Sequence, residues 1–384
     1  GVPEPEVYYV LQREDELGDG FLMEWLDGEA LGARIVRSPE FEAIRPKLAY
    51  ECGKVLAQIH SIDLDATGLR SRLWEIPPAE FVEQTWERYR LLNTPQPMID
   101  YVARWLMENL PKKHETALVH NDFRNGNFMI SPDGIVAVLD WEVAHVGDPM
   151  RDLGWMCTNS WRFGSSDPVG GFGKYEDLFK GYEDESGKIV DPEHVKFWEV
   201  FGSFWWSVGC LGMAEHYRSG PDKTVERPAI GRRTSECQVD CVNLLIPGLV
   251  EMVEESLGFS SVDIPRTDEL LVSVRDFLRN DVMDETTGRA NFLSRVAANS
   301  LDIVLRELSL GPMHQSLELK RLQALFQSKE GLDALKWQLV TQLRDKQISL
   351  DNDALQNHLR QTVVNQVAID QPKYSGLRNA LDNG

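Results

Sequence analysis

The sequence predicts an α+β protein: a mostly helical body that carries a short β-hairpin, followed by an all-α C-terminal domain. Three observations lead there. Strand-like runs are few and short, and most of them fall between Ala117 and Leu139. Amphipathic helical spacing recurs on both sides of that cluster. From Ile264 to the end the apolar residues repeat only at helical intervals.

Taken in order, Phe21-Leu22-Met23-Glu24-Trp25 reads as a strand ended by an Asp27-Gly28 turn. Arg45 to Ile62 has helical spacing through Leu48, Cys52, Val55, Leu56 and Ile59. Glu80 to Leu92 and Met98 to Asn109 are two further amphipathic helices. Ala117-Leu118-Val119-His120 is a buried strand, and Phe128-Met129-Ile130 and Ile135 to Leu139 flank the turn Ser131-Pro132-Asp133-Gly134. The Gly- and Ser-rich run 164–173 is loop chemistry set among Trp155, Trp161, Phe163 and Phe172. Aromatics at such spacing are more often core than the wall of an acceptor pocket. Helices from Asp177 and from Pro192 to Tyr217 follow, then a linker with Gly220-Pro221 and Arg227-Pro228, then a helix over Ser235 to Leu257. In the last domain, Asp268 to Asn280, Phe292 to Leu308, Leu319 to Leu325, Leu332 to Leu343 and Leu355 to Val367 read as helices.

The chemistry is concentrated in His120-Asn121-Asp122-Phe123-Arg124-Asn125-Gly126-Asn127, with Asp140 in Leu-Asp-Trp-Glu thirteen residues after Asn127. The spacing is H-x-D-x4-N-x12-D. The hairpin folds Asp140 back beside Asn127. Phosphoryl transfer needs such a set: a carboxylate to accept or orient the acceptor hydroxyl's proton, and two oxygen donors for Mg²⁺ on the nucleotide phosphates. Asp122 fits the first role at the loop's apex, and Arg124 is placed to offset charge on the transferring group. Taken singly, each Asp or Asn is better read as a turn cap. As a spaced set they point to an ATP-using, kinase-like fold.

The segment Val119 to Trp155 resembles the aminoglycoside phosphotransferase and choline kinase superfamily of small-molecule kinases. It is nearest to the branch found alone in bacteria or fused ahead of acyl-CoA dehydrogenases in animals. That branch reads H-G-D-F-R-x-G-N, L-D-W-E, G-D-P and D-L-G-W, and Gly147-Asp148-Pro149 and Asp152-Leu153-Gly154-Trp155 supply the last two pieces. Asn121 stands where the family has Gly; Asn tolerates positive φ better than most residues. The resemblance extends over roughly Val2 to Phe259. It implies a catalytic Asp122, Mg²⁺ ligands Asn127 and Asp140, and an Asp152 that holds the catalytic loop through its backbone. It also implies that His120 packs and hydrogen-bonds in that loop. Glu142 would lie behind these groups, and His145 is unassigned.

By the same resemblance, Phe21 to Gly28 is the last strand and hinge of a small lobe, with the carbonyl of Glu24 and the amide of Leu26 facing the adenine edge. A phosphate-covering loop and a strand lysine paired with a helix glutamate should precede the hinge. Only about twenty residues do, and Arg13 is the one basic residue among them. The expectation is a chain that begins part-way into a longer protein, with most of the small lobe missing and weak catalysis in this form. Residues 1–28 are then the remnant of the small lobe and hinge, 29–258 the large lobe, and 259–384 the helical accessory domain.

That last domain, through Asn291-Phe292 and Arg295-Val296-Ala297-Ala298-Asn299, resembles a small helical domain of unknown function encoded beside kinases of this branch. Arg289, Arg295 and Asn299 read as a solvated helix face before they read as a site. Oligomerisation through these helices is an expectation only.

Composition bounds the rest. Of the formal charge of −21, residues 259–384 carry −2 and the first 258 carry −19. Such acidity disfavours nucleic acid as a partner. A solvated surface explains it better than attraction of a cationic substrate. The five cysteines form no C-x-x-C pair and the eight histidines no metal-ligand spacing, so core thiols and a cytoplasmic setting are expected. The longest apolar stretch, Val200 to Ala214, is too short and too interrupted by Gly and Ser for a membrane span. The leading expectation is an ATP- and Mg²⁺-dependent kinase of a small-molecule hydroxyl, with a hydroxyacyl-CoA or hydroxy acid first, an aminoglycoside second, and a non-catalytic nucleotide-binding module as the alternative of a different class.

Overall fold

The computed structural model describes residues 1–255 and 264–382. In chain order, β1 (Val7–Val10) and β2 (Phe21–Met23) lead into α1 (Gly32–Arg37), α2 (Arg45–His60), α3 (Pro78–Leu91) and α4 (Pro97–Glu108). Then come β3 (Ala117–Val119), β4 (Phe128–Ser131), β5 (Gly134–Val138) and β6 (His145–Gly147). Helices α5 (Met150–Cys157), α6 (Tyr175–Ser186), α7 (Pro192–Ser219), α8 (Glu226–Arg232) and α9 (Thr234–Leu245) follow. The chain ends with α10 (Thr267–Phe277), α11 (Met283–Glu285), α12 (Gly288–Phe326), α13 (Leu332–Arg344), α14 (Asp353–Asp370) and α15 (Ser375–Asp382). These elements form two compact units. The first holds residues 1–81 and 109–202, the second residues 82–108 and 203–384.

In the first unit the strands form three antiparallel pairs, β1 with β2, β3 with β6 and β4 with β5. The β4–β5 hairpin pairs Phe128 with Val138 and Ser131 with Gly134, so the expected Pro132-Asp133 turn is the one that closes it. Helix α2 buries Leu48, Cys52, Leu56 and Ile59, the face that its spacing marks out. It crosses α6 at two opposed glycines. A Cβ on Gly53 would stand 2.1 Å from the Leu178 carbonyl oxygen, and one on Gly181 would stand 2.0 Å from that of Tyr50. The two backbones therefore touch, and no larger residue fits without separating the helices.

The expected hinge follows β2. The Glu24 amide donates to the Glu6 carbonyl at 2.8 Å, continuing the β1–β2 pairing. Five residues on, Glu29 and Ile130 exchange backbone bonds of 2.9 and 3.0 Å, which ties the segment to β4.

The second unit is helical among its described residues. Its core is built from Leu322 of α12, Leu335, Leu339 and Leu343 of α13, and Leu355, Leu359, Val363, Val364 and Val367 of α14. Helix α4 joins this core through Asp100, whose side chain is fully buried. Arg344 Nε of α13 and Trp86 Nε1 each donate to Oδ1 at 2.7 Å, and the Tyr89 hydroxyl donates to Oδ2 at 3.0 Å. Burial pushes the Asp100 carboxyl up, and Arg344, Trp86 and Tyr89 offset only part of that push.

Two expected helix boundaries are wrong. The helix expected over Ser235 to Leu257 ends at Leu245. Pro247 bars helical geometry at Ile246, which sits at φ −137° and ψ 50°. The chain then lies against α14, where side-chain amides replace the helical bonds. Glu251 N donates to Gln361 Oε1 at 3.0 Å, Val253 N to Asn365 Oδ1 at 2.8 Å, and Asn365 Nδ2 returns a bond to the Glu251 carbonyl at 3.0 Å. Residues 256 and 257 of that expected helix lie outside the described residues. In the other case, the separate helices expected over Phe292 to Leu308 and Leu319 to Leu325 are one helix, α12, with Pro312 inside it. Proline in a helix interior costs about 3 kcal/mol, and burial of Ala298, His314 and Leu322 on either side outweighs it.

Candidate active site

Asp122 lies in the loop between β3 and β4, and three side chains donate to its carboxylate. Trp155 Nε1 and Arg124 Nε reach Oδ1 at 2.7 and 3.0 Å, and Asn127 Nδ2 reaches Oδ2 at 2.6 Å. Asn127 Nδ2 also donates to the Asp122 carbonyl at 2.9 Å. The amide nitrogen of Asn127 is thereby committed to the loop, which leaves its oxygen as the acceptor still to be used. The Arg124 guanidinium lies over the Trp161 ring, 4.2 Å from its centroid, which fixes its plane.

Asp152, near the start of α5, holds the loop from below. Its Oδ2 accepts from the His120 amide at 2.8 Å and its Oδ1 from the Asn121 amide at 2.7 Å, while His60 Nε2 sits 3.0 Å from Oδ2. Burial works to raise this carboxyl. The bond from His60 and the His120 amide outweigh it, and they keep Asp152 below the ordinary carboxylate range. Asn121 has φ +68°, the left-handed geometry anticipated where the family carries Gly. Its side-chain oxygen accepts from Arg151 Nε at 3.0 Å.

Asp140 sits at the end of the hairpin. The Leu139 amide donates to the Asn127 carbonyl at 2.8 Å, and the Leu139 carbonyl lies 2.9 Å from His120 Nε2. With Nδ1 accepting from the Asp122 amide at 3.2 Å, His120 carries its proton on Nε2. Asp140 is exposed and has φ +64°, a conformation that an Asp adopts at a cost of order 1 kcal/mol.

His120, Asp122, Arg124, Asn127 and Asp152 thus form one bonded network, and the hairpin backbone carries Asp140 to its edge. Glu24 and Leu26 are joined to that network by no hydrogen bond among the described residues. Glu142 is exposed, and His145 packs edge-on against Phe81 at 5.3 Å, where burial lowers its pKa.

Four contributors were not anticipated. Arg151 is fully buried, with its guanidinium against Trp155 and Phe201 at 4.7 and 5.2 Å, and burial pulls its pKa down to about 10. Trp155 touches the Asp122 carboxylate directly, His60 supports Asp152, and Asn125 Nδ2 ties the loop to the Trp161 and Gly170 carbonyls. Asn125 and Trp155 stand inside the quoted motifs, so a signal was present; Arg151 and His60 had none beyond adjacency to Asp152 and a helix end. In the Gly-rich run Val169 to Gly173 are buried and Gly164 and Ser166 are exposed; of the aromatics around it, Trp155, Trp161 and Phe172 are core and Phe163 is half-buried.

Residues 1–184 match the phosphotransferase enzyme family. These residues belong to that family. Residues 284–374 match a domain of unknown function (DUF6285), whose name assigns no activity. Acyl-CoA dehydrogenase family member 10 of Mus musculus is 34% identical over 168 residues, 41% of this chain and 15% of the relative. Acyl-CoA dehydrogenase family member 11 of Gallus gallus is 32% identical over 163 residues, 40% of this chain and 20% of the relative. The match thus spans a fifth or less of the length of these relatives. Among solved structures, a candidate aminoglycoside phosphotransferase from Ralstonia eutropha superposes with a TM-score of 0.54 at 23% identity, covering 63% of this chain and 78% of its own. That likeness shows a shared kinase-like fold. No helix among the described residues is long and apolar enough to cross a membrane.

Proposed function

We propose that this phosphotransferase domain moves the terminal phosphoryl group of ATP to a hydroxyl of a small molecule. The observation that carries the reading is the Asp122 carboxylate, held by Trp155, Arg124 and Asn127 on a loop that Asp152 pins by two backbone amides. Transfer of this kind is largely positioning and charge stabilisation, and an oriented carboxylate suits an acceptor hydroxyl whose proton must leave. Arg124, beside it, offsets charge on the group in flight.

No three His, Cys, Asp or Glu side chains among the described residues cluster as a metal cage. That agrees with Mg²⁺, which takes one or two protein oxygens and fills its shell with water and phosphate. The amide oxygen of Asn127, whose nitrogen is spent on Asp122, and the exposed carboxylate of Asp140 fit that donor set. Bound there, Mg²⁺ would neutralise the nucleotide phosphates. Glu24 and Leu26 remain our proposal for the adenine contact through their backbone groups. The names of the curated relatives make a hydroxyacyl-CoA or a related hydroxy acid the acceptor to test first, ahead of an aminoglycoside. Five buried, unpaired cysteines suit a reducing compartment such as the cytoplasm.

The test is thermal unfolding with and without Mg²⁺·ATP, beside Asp140→Asn. A ligand at a hundred times its dissociation constant stabilises by about 2.7 kcal/mol. A magnesium-dependent rise in Tm that the variant loses supports the site. No rise leaves this chain as a non-catalytic module. Phosphotransfer to hydroxyacyl-CoA, amino-alcohol and aminoglycoside panels then identifies the acceptor.

A further inference from the structure

The second compact unit carries a partly open cavity of about 530 Å³ that the catalytic loop does not share. That volume suits a small organic ligand. Its polar wall comprises His314 and Glu318 of α12, Lys336 of α13, and His358, Thr362 and Gln366 of α14. Met98, Leu211 and Val363 belong to its apolar wall.

The polar wall is incompletely bonded. Both ring nitrogens of His358 and Nδ1 of His314, on this wall, are buried and have no hydrogen-bond partner, and neither has Nε of Arg321, which does not line the cavity but bonds to the wall residue Thr362. His358 is 1% exposed and His314 4%. Buried polar atoms without partners are uncommon in native proteins and each loses stability, so three on one wall, with a fourth on the neighbouring Arg321, point to a group that is to be supplied.

The charge of the wall says which group. Its carboxylates are answered by cations: Glu318 by Lys336 at 3.7 Å, Asp370 by Arg232 at 3.0 Å, and Glu215 by Arg218 at 4.0 Å. Arg321, one turn from Glu318, makes no ion pair among the described residues and spends one nitrogen on the Thr362 hydroxyl at 3.1 Å. Burial first, then Arg321 and Lys336, lower the pKa of both histidines, which places a net positive field at that end of the cavity. The neutral His358 ring offers one unmet N–H and one acceptor nitrogen, Arg321 Nε adds another N–H, and the charges of Glu318 and Glu251 offset only part of the Arg321 and Lys336 field. The unmet N–H groups and the remaining field both ask for an oxyanion.

We propose that this cavity binds a small molecule with an oxyanion head, a carboxylate or a phosphate, at His358, His314 and Arg321, with any apolar body against Met98, Leu211 and Val363. Nothing in this site calls on the catalytic loop, so it stands or falls separately from the phosphotransfer reading.

The experiment titrates the full chain with inorganic phosphate in one arm and butyrate in the other, following the imidazole ¹⁵N resonances of His314 and His358 and the Tm. The expected result is a saturable shift of both imidazoles with a rise in Tm. Saturation by butyrate names an organic acid, and saturation by phosphate alone names a phosphate head. Arg321→Gln and His358→Gln should each weaken binding roughly tenfold or more, while exposed Lys329→Gln should leave it unchanged. Two variants are used because Arg321 is only half-buried and its replacement is the less disruptive. No saturable shift with either probe, or equal weakening by Lys329→Gln, overturns the proposal.

Discussion

Trp155 shows how much of the site depends on single groups. Its indole N–H is one of three donors that fix the Asp122 carboxylate, and it is the one that carries no charge and contacts no nucleotide in our reading. Trp155→Phe keeps an aromatic ring in the core beside Arg151 and Trp161 and removes the bond to Asp122. We expect the fold to survive, with Tm within a few degrees, and kcat to fall about tenfold with KM for ATP little changed, as suits a loss of about 1 kcal/mol of orientation. Steady-state kinetics on the acceptor that the panel identifies checks this. Equal losses in kcat and in ATP affinity would contradict the positioning role. The spacing across the hairpin singled out His120, Asp122, Asn127 and Asp140 in the sequence, and the resemblance added Asp152; the structure bonds His120, Asp122, Asn127 and Asp152 into one network. The Trp155 bond was not legible, because it joins groups 33 residues apart whose meeting depends on how α5 docks.

At the level of elements, the α2–α6 crossing is the tightest feature described. Gly53→Ala would drive a methyl to 2.1 Å from the Leu178 carbonyl oxygen, and backbone cannot yield as a side-chain tip can. The expected loss is about 3 kcal/mol, read as a lower urea midpoint at unchanged m-value. A midpoint within experimental error of the parent would show that the helices can part at little cost. Helical periodicity identified α2 and its buried face, yet carried no sign of this contact, since glycine contributes nothing to an apolar pattern. The same limit explains the overrun past Leu245. Leu249, Met252 and Val253 continue a helical rhythm in sequence, but after Pro247 their backbone bonds go to Gln361 and Asn365, more than a hundred residues away.

For the whole molecule, the two buried histidines make stability depend on pH. Burial and the nearby cations push His314 down to about 4 and His358 to about 3. Above the unfolded value of about 6.5 both states are neutral and the full stability is present. As pH falls from there toward 4, the unfolded chain takes up protons that the folded chain refuses, so stability is lost, at up to about 1.4 kcal/mol per pH unit for each histidine. Glu318 and Asp370, whose pKa values burial raises, oppose this trend in the same window. The histidine part is therefore read as a difference: the unfolding free energy of His358→Gln should fall less steeply than that of the parent between pH 6.5 and 4. Parallel curves would mean that His358 is already protonated in the fold. The division of the molecule was only partly visible beforehand. Composition and periodicity separate a helical end from the rest, but they do not reveal that Val82 to Glu108 folds with it.

The Asp100–Arg344 pair carries a consequence for how this chain was assembled. Asp100 lies in the stretch that matches the phosphotransferase family, and Arg344 in the stretch that matches the domain of unknown function. Their bond is half-buried and lies within one compact unit, so what look like two modules in sequence share a single core. Severing them leaves the buried Asp100 carboxylate to Trp86 and Tyr89 alone, a loss of about 2 kcal/mol. The two stretches depend on one another: separately expressed halves should be sticky and short-lived, and should rescue one another when made in the same cell.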